Sequence, residues 1–214
     1  LQGFNNEFLG DKGRARFERV IDISATRGRI TDRHGDVLAV STPVRSIWAI
    51  PEDAQLAPAQ SRGLAALLEI DVREINRKLA SERDFVYVKR QLPPELADRV
   101  TALKLPGIHQ KNEYRRYYPA GEVTAHMLGF TGVEDAGQEG IELAFNEQLS
   151  GKAGSRRVIK DRRGNVVEDV ESIQPPLEGR DIALAMDSKL QYLAYSHLKQ
   201  ALEEHRAKAG GVVV

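Results

Sequence analysis

Short apolar stretches separated by turn residues predict a chain that alternates between strands and helices. Apolar residues form short runs or recur at strand spacing in four segments, 17–24, 45–50, 84–92 and 108–118. They recur at helical spacing in 58–69, 71–82 and 93–104, and the last of these begins with two prolines, which suit a helix start. The pattern predicts an α+β fold with mostly local connections.

Two Asp-Arg-x-Gly tetrapeptides predict β-hairpin turns. One runs from Asp32 to Gly35 and the other from Asp161 to Gly164, and each lies between apolar arms. Aspartate suits the first position of a type I turn, and glycine suits the fourth, where a left-handed backbone is wanted.

The segment EYRRYYPAGEVTAHMLGF, residues 113–130, interleaves cationic and aromatic side chains before a sharp corner. Strand alternation places Tyr114, Arg116 and Tyr118 on one face and Arg115 and Tyr117 on the other. The Pro-Ala-Gly at 119–121 stops the strand, 122–126 is predicted to form a helical turn, and MLGFTG is predicted to resume an extended path. A helix is then predicted from Ile141 to a C-terminus at Gly151.

The last part of the chain differs in character. PPLEG (175–179) is predicted to be a linker, DIALAMD a strand, and residues from Ser188 a helix with Asp187 as its N-cap. GGVVV is predicted to begin another strand. This organisation predicts a lead-in over 1–16, one domain over 17–178, and the opening of a second domain at 181–214 whose remainder lies in a longer protein.

Composition limits the chemistry that the chain can perform. Its 31 Lys and Arg balance 31 Asp and Glu, so no global field attracts nucleic acid. There is no cysteine, and the five histidines are scattered, which argues against a metal site and against any cofactor. No run approaches the ~20 apolar residues that span a bilayer.

One short motif matches a nucleophile pattern. Ser196 and Lys199 satisfy S-x-x-K, the spacing that places a serine one helical turn from a lysine in penicillin-binding enzymes. Neither partner motif, S-x-N or K-[ST]-G, accompanies it, so we interpret the pair as part of a solvated helix face. The arginines near 27–33 and at 115–116 are interpreted as structural braces rather than as a single-strand binding surface.

Three long motifs, in this order, resemble those of class B penicillin-binding proteins. They are RGRITDRHGDVLAVS, RRYYPAGEVTAHMLGFTG, and the stretch from GQEGIELAF to KDRRGNVVED. The form of the second motif, together with LAVSTPVRSIWAIP and LKLPGIH, is similar to the division-specific branch of the family. The elongation-type branch and a stand-alone periplasmic scaffold module remain alternatives.

The resemblance implies an elongated pedestal (dimerisation) domain of several subdomains, followed by the first strand, helix and strand of a truncated transpeptidase domain. It implies a periplasmic location, anchored in the inner membrane by a helix outside this chain, and partners among the division proteins, with peptidoglycan precursors bound by the missing domain. It implies no catalytic residue here.

The residues expected to build the structural motifs are Arg27, Gly28, Asp32, Gly35, Arg115, Arg116, Tyr117, Pro119, Gly121, His126, Gly129, Gly140, Glu142, Asp161 and Gly164. Because lone charges in a packed junction are costly, we predict that five of them form one paired network. These five are Arg27, Asp32, Arg115, Arg116 and Glu142.

Overall fold

A computed structural model describes residues 18–160 and 166–214, with only the backbone described at 18, 19, 159, 160 and 166–171. The chain divides into two compact units. The first contains residues 18–24, Pro43–Tyr114 and the described part of Ala153–Leu177. The second contains Ala25–Thr42, Arg115–Lys152 and Glu178–Val214.

The first unit packs helices against one face of a small sheet. Its helices are α1 (Pro58–Leu68), α2 (Val72–Leu79) and α3 (Pro94–Ala102), and its strands are the second half of β3 (Val37–Ala49), β4 (Val86–Leu92) and most of β5 (Ile108–Tyr117). β3 pairs with β4 on one side and with β5 on the other. Ile47, Leu64, Leu68 and Ile75 are fully buried between helices and sheet, so apolar burial explains this layer.

A separate three-stranded antiparallel sheet also belongs to the first unit. It contains β1 (Glu18–Ile23), β6 (Gly154–Lys160) and β7 (Val166–Gln174), in the order β1-β6-β7. β6 and β7 pair from Ser155–Gln174 to Lys160–Val166. The predicted turn between them, with Asp161 and Gly164, lies outside the described residues.

The second unit has a small sheet and several short helices. β2 (Ile30–Thr31) pairs antiparallel with the start of β3 and parallel with β8 (Ile182–Ala183). A 3₁₀ turn (Gly121–Val123) precedes α4 (Ala125–Leu128), α5 (Gly140–Ala144) and α6 (Asn146–Leu149), and α7 covers Ser188–Glu204. Ile30, Leu38, Leu128 and Leu149 form its buried core.

The α+β fold class predicted from the sequence is confirmed, and the differences are local. The predicted helix over 141–151 is two short helices, because the backbone leaves helical geometry at Phe145, with φ −111° and ψ 23°. MLGFTG does not start extended, since its first two residues, Met127 and Leu128, belong to α4, and Leu128 is buried there. The segment predicted to be a linker, 175–179, is bonded within the second unit at its end. The Gly179 amide donates a hydrogen bond to the Thr26 carbonyl at 2.8 Å.

The end of the chain also departs from its prediction. The strand predicted over DIALAMD is only two residues long, and 205–214 form no helix or strand. Residues 181–214 group with Ala25–Thr42 and Arg115–Lys152, because β8 pairs with β2. That 181–214 open a transpeptidase domain stays a prediction. No helix in 18–160 or 166–214 is both long and apolar enough to cross a membrane.

Candidate functional site

The most buried charged group of the second unit is the Glu142 carboxylate on α5. Its side chain is 0% exposed, and each of its two oxygens accepts from a different arginine. Arg27 Nε donates to Oε2 at 2.7 Å, and Arg116 Nε donates to Oε1 at 2.7 Å. Both arginine side chains are only 1% exposed, so these charge-assisted bonds are shielded from water.

Arg27 extends the cluster to the loop before α5 and to α6. Its Nη2 donates to the Glu142 carbonyl at 2.8 Å. Its Nη1 donates to the Asp135 carbonyl, to Asn146 Oδ1 and to Ser150 Oγ, at 3.1, 2.9 and 2.7 Å. A guanidinium with its donors in a fixed fork suits this task, because one side chain can bond several chain segments at once.

Arg116 holds the other side of the carboxylate. Its side chain projects from the buried face of β5. Its Nη1 donates to Ser41 Oγ on β3 at 3.2 Å. Tyr118, on the same face of the strand, brings its hydroxyl to 3.4 Å from Glu142 Oε1. Burial and the nearby Glu142 charge raise the pKa of the Tyr118 hydroxyl. The predicted alternation of this strand therefore matches the observed burial.

Asp135 lies beside the cluster in a left-handed backbone conformation, with φ 58°. Burial raises the pKa of its carboxyl, and the charges of Arg27 and Arg116 offset part of that increase. Its Oδ1 is buried and has no hydrogen-bond partner within the described chain. Sequence reasoning did not select Asp135, because only the tertiary packing brings its loop to Arg27.

The predicted five-residue network was wrong for Arg115 and Asp32. Arg115 is exposed on the other face of β5, where strand alternation places it, so it does not reach Glu142. Asp32 is buried, but its carboxylate accepts hydrogen bonds from His34, Asp36 and Ser188 instead. The structure brings together Arg27, Arg116 and Glu142.

Asp32 organises the first hairpin turn and the start of α7. Its Oδ1 accepts from the amides of His34 and Asp36 at 2.8 and 2.9 Å. Its Oδ2 accepts from the Ser188 amide at 3.1 Å and the Ser188 hydroxyl at 2.7 Å. Burial alone would raise the pKa of the Asp32 carboxyl, but the bonds from Ser188, His34 and Asp36 together hold it well below its ordinary value.

A second aspartate caps the same helix. Asp187 Oδ1 accepts from the amides of Lys189 and Leu190 at 3.0 and 3.1 Å, so its predicted N-cap role is confirmed. Its Oδ2 lies 3.0 Å from His34 Nε2. The hydrogen bond with His34 and those from the helix amides lower the pKa of the Asp187 carboxyl.

Two glycines permit a close backbone approach within the second unit. Gly129 and Gly140 have φ of 71° and 58°. A Cβ at Gly129 would overlap the Glu139 carbonyl, and one at Gly140 would overlap the Met127 carbonyl. This contact places α5, and therefore Glu142, against the end of α4.

The other selected residues have simpler positions. Gly28 lies against the Arg180 carbonyl, where a Cβ would overlap, and Gly35 occupies the hairpin turn with φ 88°. Gly121, with φ 51°, has open space around it. The exposed residues are Tyr117, Pro119 and His126.

Ser196 and Lys199, the two residues at S-x-x-K spacing, both lie on α7. Lys199 Nζ bonds to Glu122 Oε1 at 3.1 Å, and this bond raises the pKa of the lysine. This exposed ion pair agrees with the interpretation of Ser196 and Lys199 as part of a solvated helix face. Over 18–160 and 166–214, no group of three His, Cys, Asp or Glu could hold a metal ion.

Replacing Arg116 by alanine tests the buried cluster. We expect Arg116→Ala to destabilise the chain by about 3 kcal/mol, the lower end of the range for breaking a buried pair, because Arg27 still pairs with Glu142. Arg115→Ala, next along the strand on the exposed face, is the matched control and should change stability by less than about 0.5 kcal/mol. Equal denaturation midpoints for the two variants would contradict this role.

The pH dependence of stability tests Asp32. Its pKa is lower in the folded chain than its ordinary value of about 4, so this carboxylate stabilises the fold above that pH and loses its effect as the pH falls. We expect Asp32→Asn to lower the melting temperature at pH 7, with a gap to the original chain that shrinks towards pH 3. Asp36→Asn, at an exposed side chain, is the control. A gap independent of pH would refute the assignment.

A family model and the similar sequences both point to the same protein family. Residues 22–184 match the family described as Penicillin-binding Protein dimerisation domain. The chain is 42% identical to the peptidoglycan D,D-transpeptidase FtsI of Escherichia coli K12, an alignment that covers 100% of the chain and 37% of that protein. It is 41% identical to the probable peptidoglycan D,D-transpeptidase PenA of Neisseria gonorrhoeae, covering 100% of the chain and 38% of PenA.

Solved structures show the same fold. PBP2 in its complex with MreC from Helicobacter pylori aligns with a TM-score of 0.64 at 19% identity, over 86% of this chain and 38% of that one. A peptidoglycan synthetase from Bifidobacterium adolescentis aligns with a TM-score of 0.55 at 23% identity, over 87% and 39%. The resemblance read from the sequence motifs is confirmed, and the chain belongs to the penicillin-binding protein dimerisation domain family.

Proposed function

We propose that this chain is the non-catalytic pedestal of a septal peptidoglycan D,D-transpeptidase, serving as a spacer and as a docking surface for other division proteins. The observation that carries the proposal is its 42% identity to FtsI of Escherichia coli along its whole length. The chain spans 37% of the length of that relative. We assign the acyl-transfer chemistry to the rest of the longer protein.

The polar groups of the described chain support a structural role. Each oxygen of the Glu142 carboxylate is bonded to a buried guanidinium, that of Arg27 or that of Arg116, so these charged groups serve one another inside the protein. In the one S-x-x-K match of the sequence, the lysine, Lys199, is paired with Glu122. A carboxylate bonded by two guanidiniums fixes its surroundings, which suits a part that transmits position rather than reacts.

The location and the division role rest on the family resemblance. We place the chain on the periplasmic face of the inner membrane, anchored by a helix of the longer protein, with partners in the septal cell-wall synthesis complex. The matches to FtsI proteins favour the division-type branch over the elongation-type one. The likeness to PBP2 in its complex with MreC, at 19% identity, concerns the fold alone and carries no weight for the elongation role.

Labelling with a fluorescent penicillin separates the pedestal from the enzyme. We expect the full-length gene product to form a covalent adduct and the 214-residue chain to remain unlabelled at equal concentration. Excess unlabelled penicillin added first, which should abolish the signal, controls for non-covalent staining. Covalent labelling of the 214-residue chain would refute its non-catalytic assignment, and an unlabelled full-length product would favour a stand-alone scaffold.

Depletion of the full-length protein in its host tests the septal role. Loss of a division transpeptidase blocks septation while growth in length continues, so we expect filaments. Rounded cells would indicate the elongation-type alternative. Re-expression of the full-length protein should restore normal cell length, whereas re-expression of the 214-residue chain alone should not.

A further inference from the structure

The first unit contains a cavity of about 690 Å³, named here the β1–β5 cavity. Its lining includes Trp48 of β3, Phe85 directly before β4, residues 108–112 of β5, and residues 21–24 at the end of β1. A volume between about 300 and 1,000 Å³ is typical of a site for a small ligand. The β1–β5 cavity therefore has the size of a site for a short peptide.

Two rings and one cation of the β1–β5 cavity lie on the face of the sheet that is turned away from the helices. Ile47 is buried in the core with the helices, so Trp48, the next residue of β3, projects from the other face. Ile108 packs against the same core, so His109 also projects from the other face. Lys111, two residues further along β5, shares that face. The cavity therefore combines aromatic side chains with an ammonium group.

The aromatic rings of the β1–β5 cavity stack on one another. Because β3 pairs with β4 on one side and with β5 on the other, Phe85 and His109 lie on either side of Trp48. Their ring centroids are 5.0 and 4.6 Å from that of Trp48, so both faces of the indole are covered and its edge is presented to a ligand. Ring edges carry the positive part of the ring quadrupole and favour the carbonyl oxygens of a peptide. A saccharide, which stacks its C–H groups on ring faces, is less well matched.

Two exposed side chains of opposite charge, Asp22 and Lys111, line the β1–β5 cavity. Within the part of the chain that the structure describes, neither side chain makes a hydrogen bond or an ion pair, either with the other or with a third residue. Arg156 also lines the cavity, but it has its own interaction within the protein, so its charge is already committed. A ligand with one positive and one negative group would satisfy both Asp22 and Lys111.

From this geometry we infer that the β1–β5 cavity binds a short peptide that carries a free ammonium group and a free carboxylate. The ammonium group of the peptide pairs with Asp22 and its carboxylate pairs with Lys111, while its carbonyl oxygens contact the ring edge of Trp48. Charge-assisted hydrogen bonds of this kind are roughly twice as strong as neutral ones. The site goes beyond the proposed function, because a spacer and docking surface needs no small ligand.

The single tryptophan of the chain makes binding measurable. Trp48 is the only one in the sequence and lines the β1–β5 cavity, so its emission reports on the cavity without background. The probe is the tripeptide Ala-Lys-Ala with an acetylated N-terminus, which has one ammonium group and one carboxylate. One control peptide has its lysine side chain acetylated, and the other ends in an amide. We expect saturable binding of the probe and binding on the order of tenfold weaker for each control peptide.

Two substitutions assign the charges of the peptide to their partners. Lys111→Gln should bind the probe and the amide-ended peptide equally, because the carboxylate has lost its partner, and should still prefer the free ammonium group. Asp22→Asn should show the converse pattern. Both side chains are exposed, so we expect both variants to fold as the original chain does.

Arg62→Gln, at an exposed cation of α1 outside the cavity lining, is the matched control. It should discriminate among the three peptides as the original chain does. Unchanged discrimination in Lys111→Gln and Asp22→Asn as well would overturn the inference.

Two sources supply such a peptide group, a free peptide in solution and the peptide part of the cell-wall polymer. Sedimentation with purified peptidoglycan distinguishes them. Pelleting of the original chain, but not of the variant with both Asp22→Asn and Lys111→Gln, would assign the site to the polymer. Binding of the tripeptide without pelleting would assign it to free peptides.

Three other results would overturn the inference. These are no response of Trp48 to the probe, equal binding of all three peptides by the original chain, and a response to a chitin oligosaccharide but not to the probe. A fourth would show that the two charges pair with each other in solution. This is a lower melting temperature in Asp22→Lys and in Lys111→Asp that is restored when both are combined.

None of these measurements depends on penicillin labelling. A labelled full-length protein with an unresponsive β1–β5 cavity would therefore refute the peptide site and leave the proposed function in place.

Discussion

A single buried carboxylate, that of Glu142, holds three distant segments of the second unit together. Arg27 and Arg116 approach it from either side at 2.7 Å, although 115 and 26 residues of sequence separate them from it. Removing such charges from water is costly, and the cost is offset only when each charge keeps its partners and its geometry. The position of α5 therefore depends on both ion pairs forming together, and not on apolar contact alone.

The rest of the second unit follows the same rule. Asp32 gathers four donors from its own turn and from Ser188, and Asp187 caps the same helix. The close approach of Gly129 and Gly140 brings α5 near enough for the Glu142 cluster to form. Buried polar groups that are fully satisfied specify one arrangement more strictly than interchangeable apolar contacts do.

A rigid polar interior and reactive chemistry make opposite demands on charged groups. A catalytic base or nucleophile needs an unsatisfied position for its substrate, whereas the charges of the Glu142 cluster are directed at one another. Main-chain bonding capacity also remains on strand edges in the first unit, because over residues 18–160 and 166–214 β1 pairs only with β6 and β5 only with β3. That distribution agrees with the proposed role of the chain as a structural part of a longer protein.

The amino-acid sequence by itself determined the α+β class, the order of the elements, the first hairpin turn, the Asp187 cap and the family, because these depend on local periodicity, turn chemistry and motif order. It also determined that Arg116 and Arg115 lie on opposite faces of β5. Only the tertiary structure decided which charges meet. Arg27 and Arg116 pair with Glu142, while Asp32 serves Ser188 and Arg115 faces solvent, because ion pairing depends on distances between segments that a one-dimensional pattern does not contain.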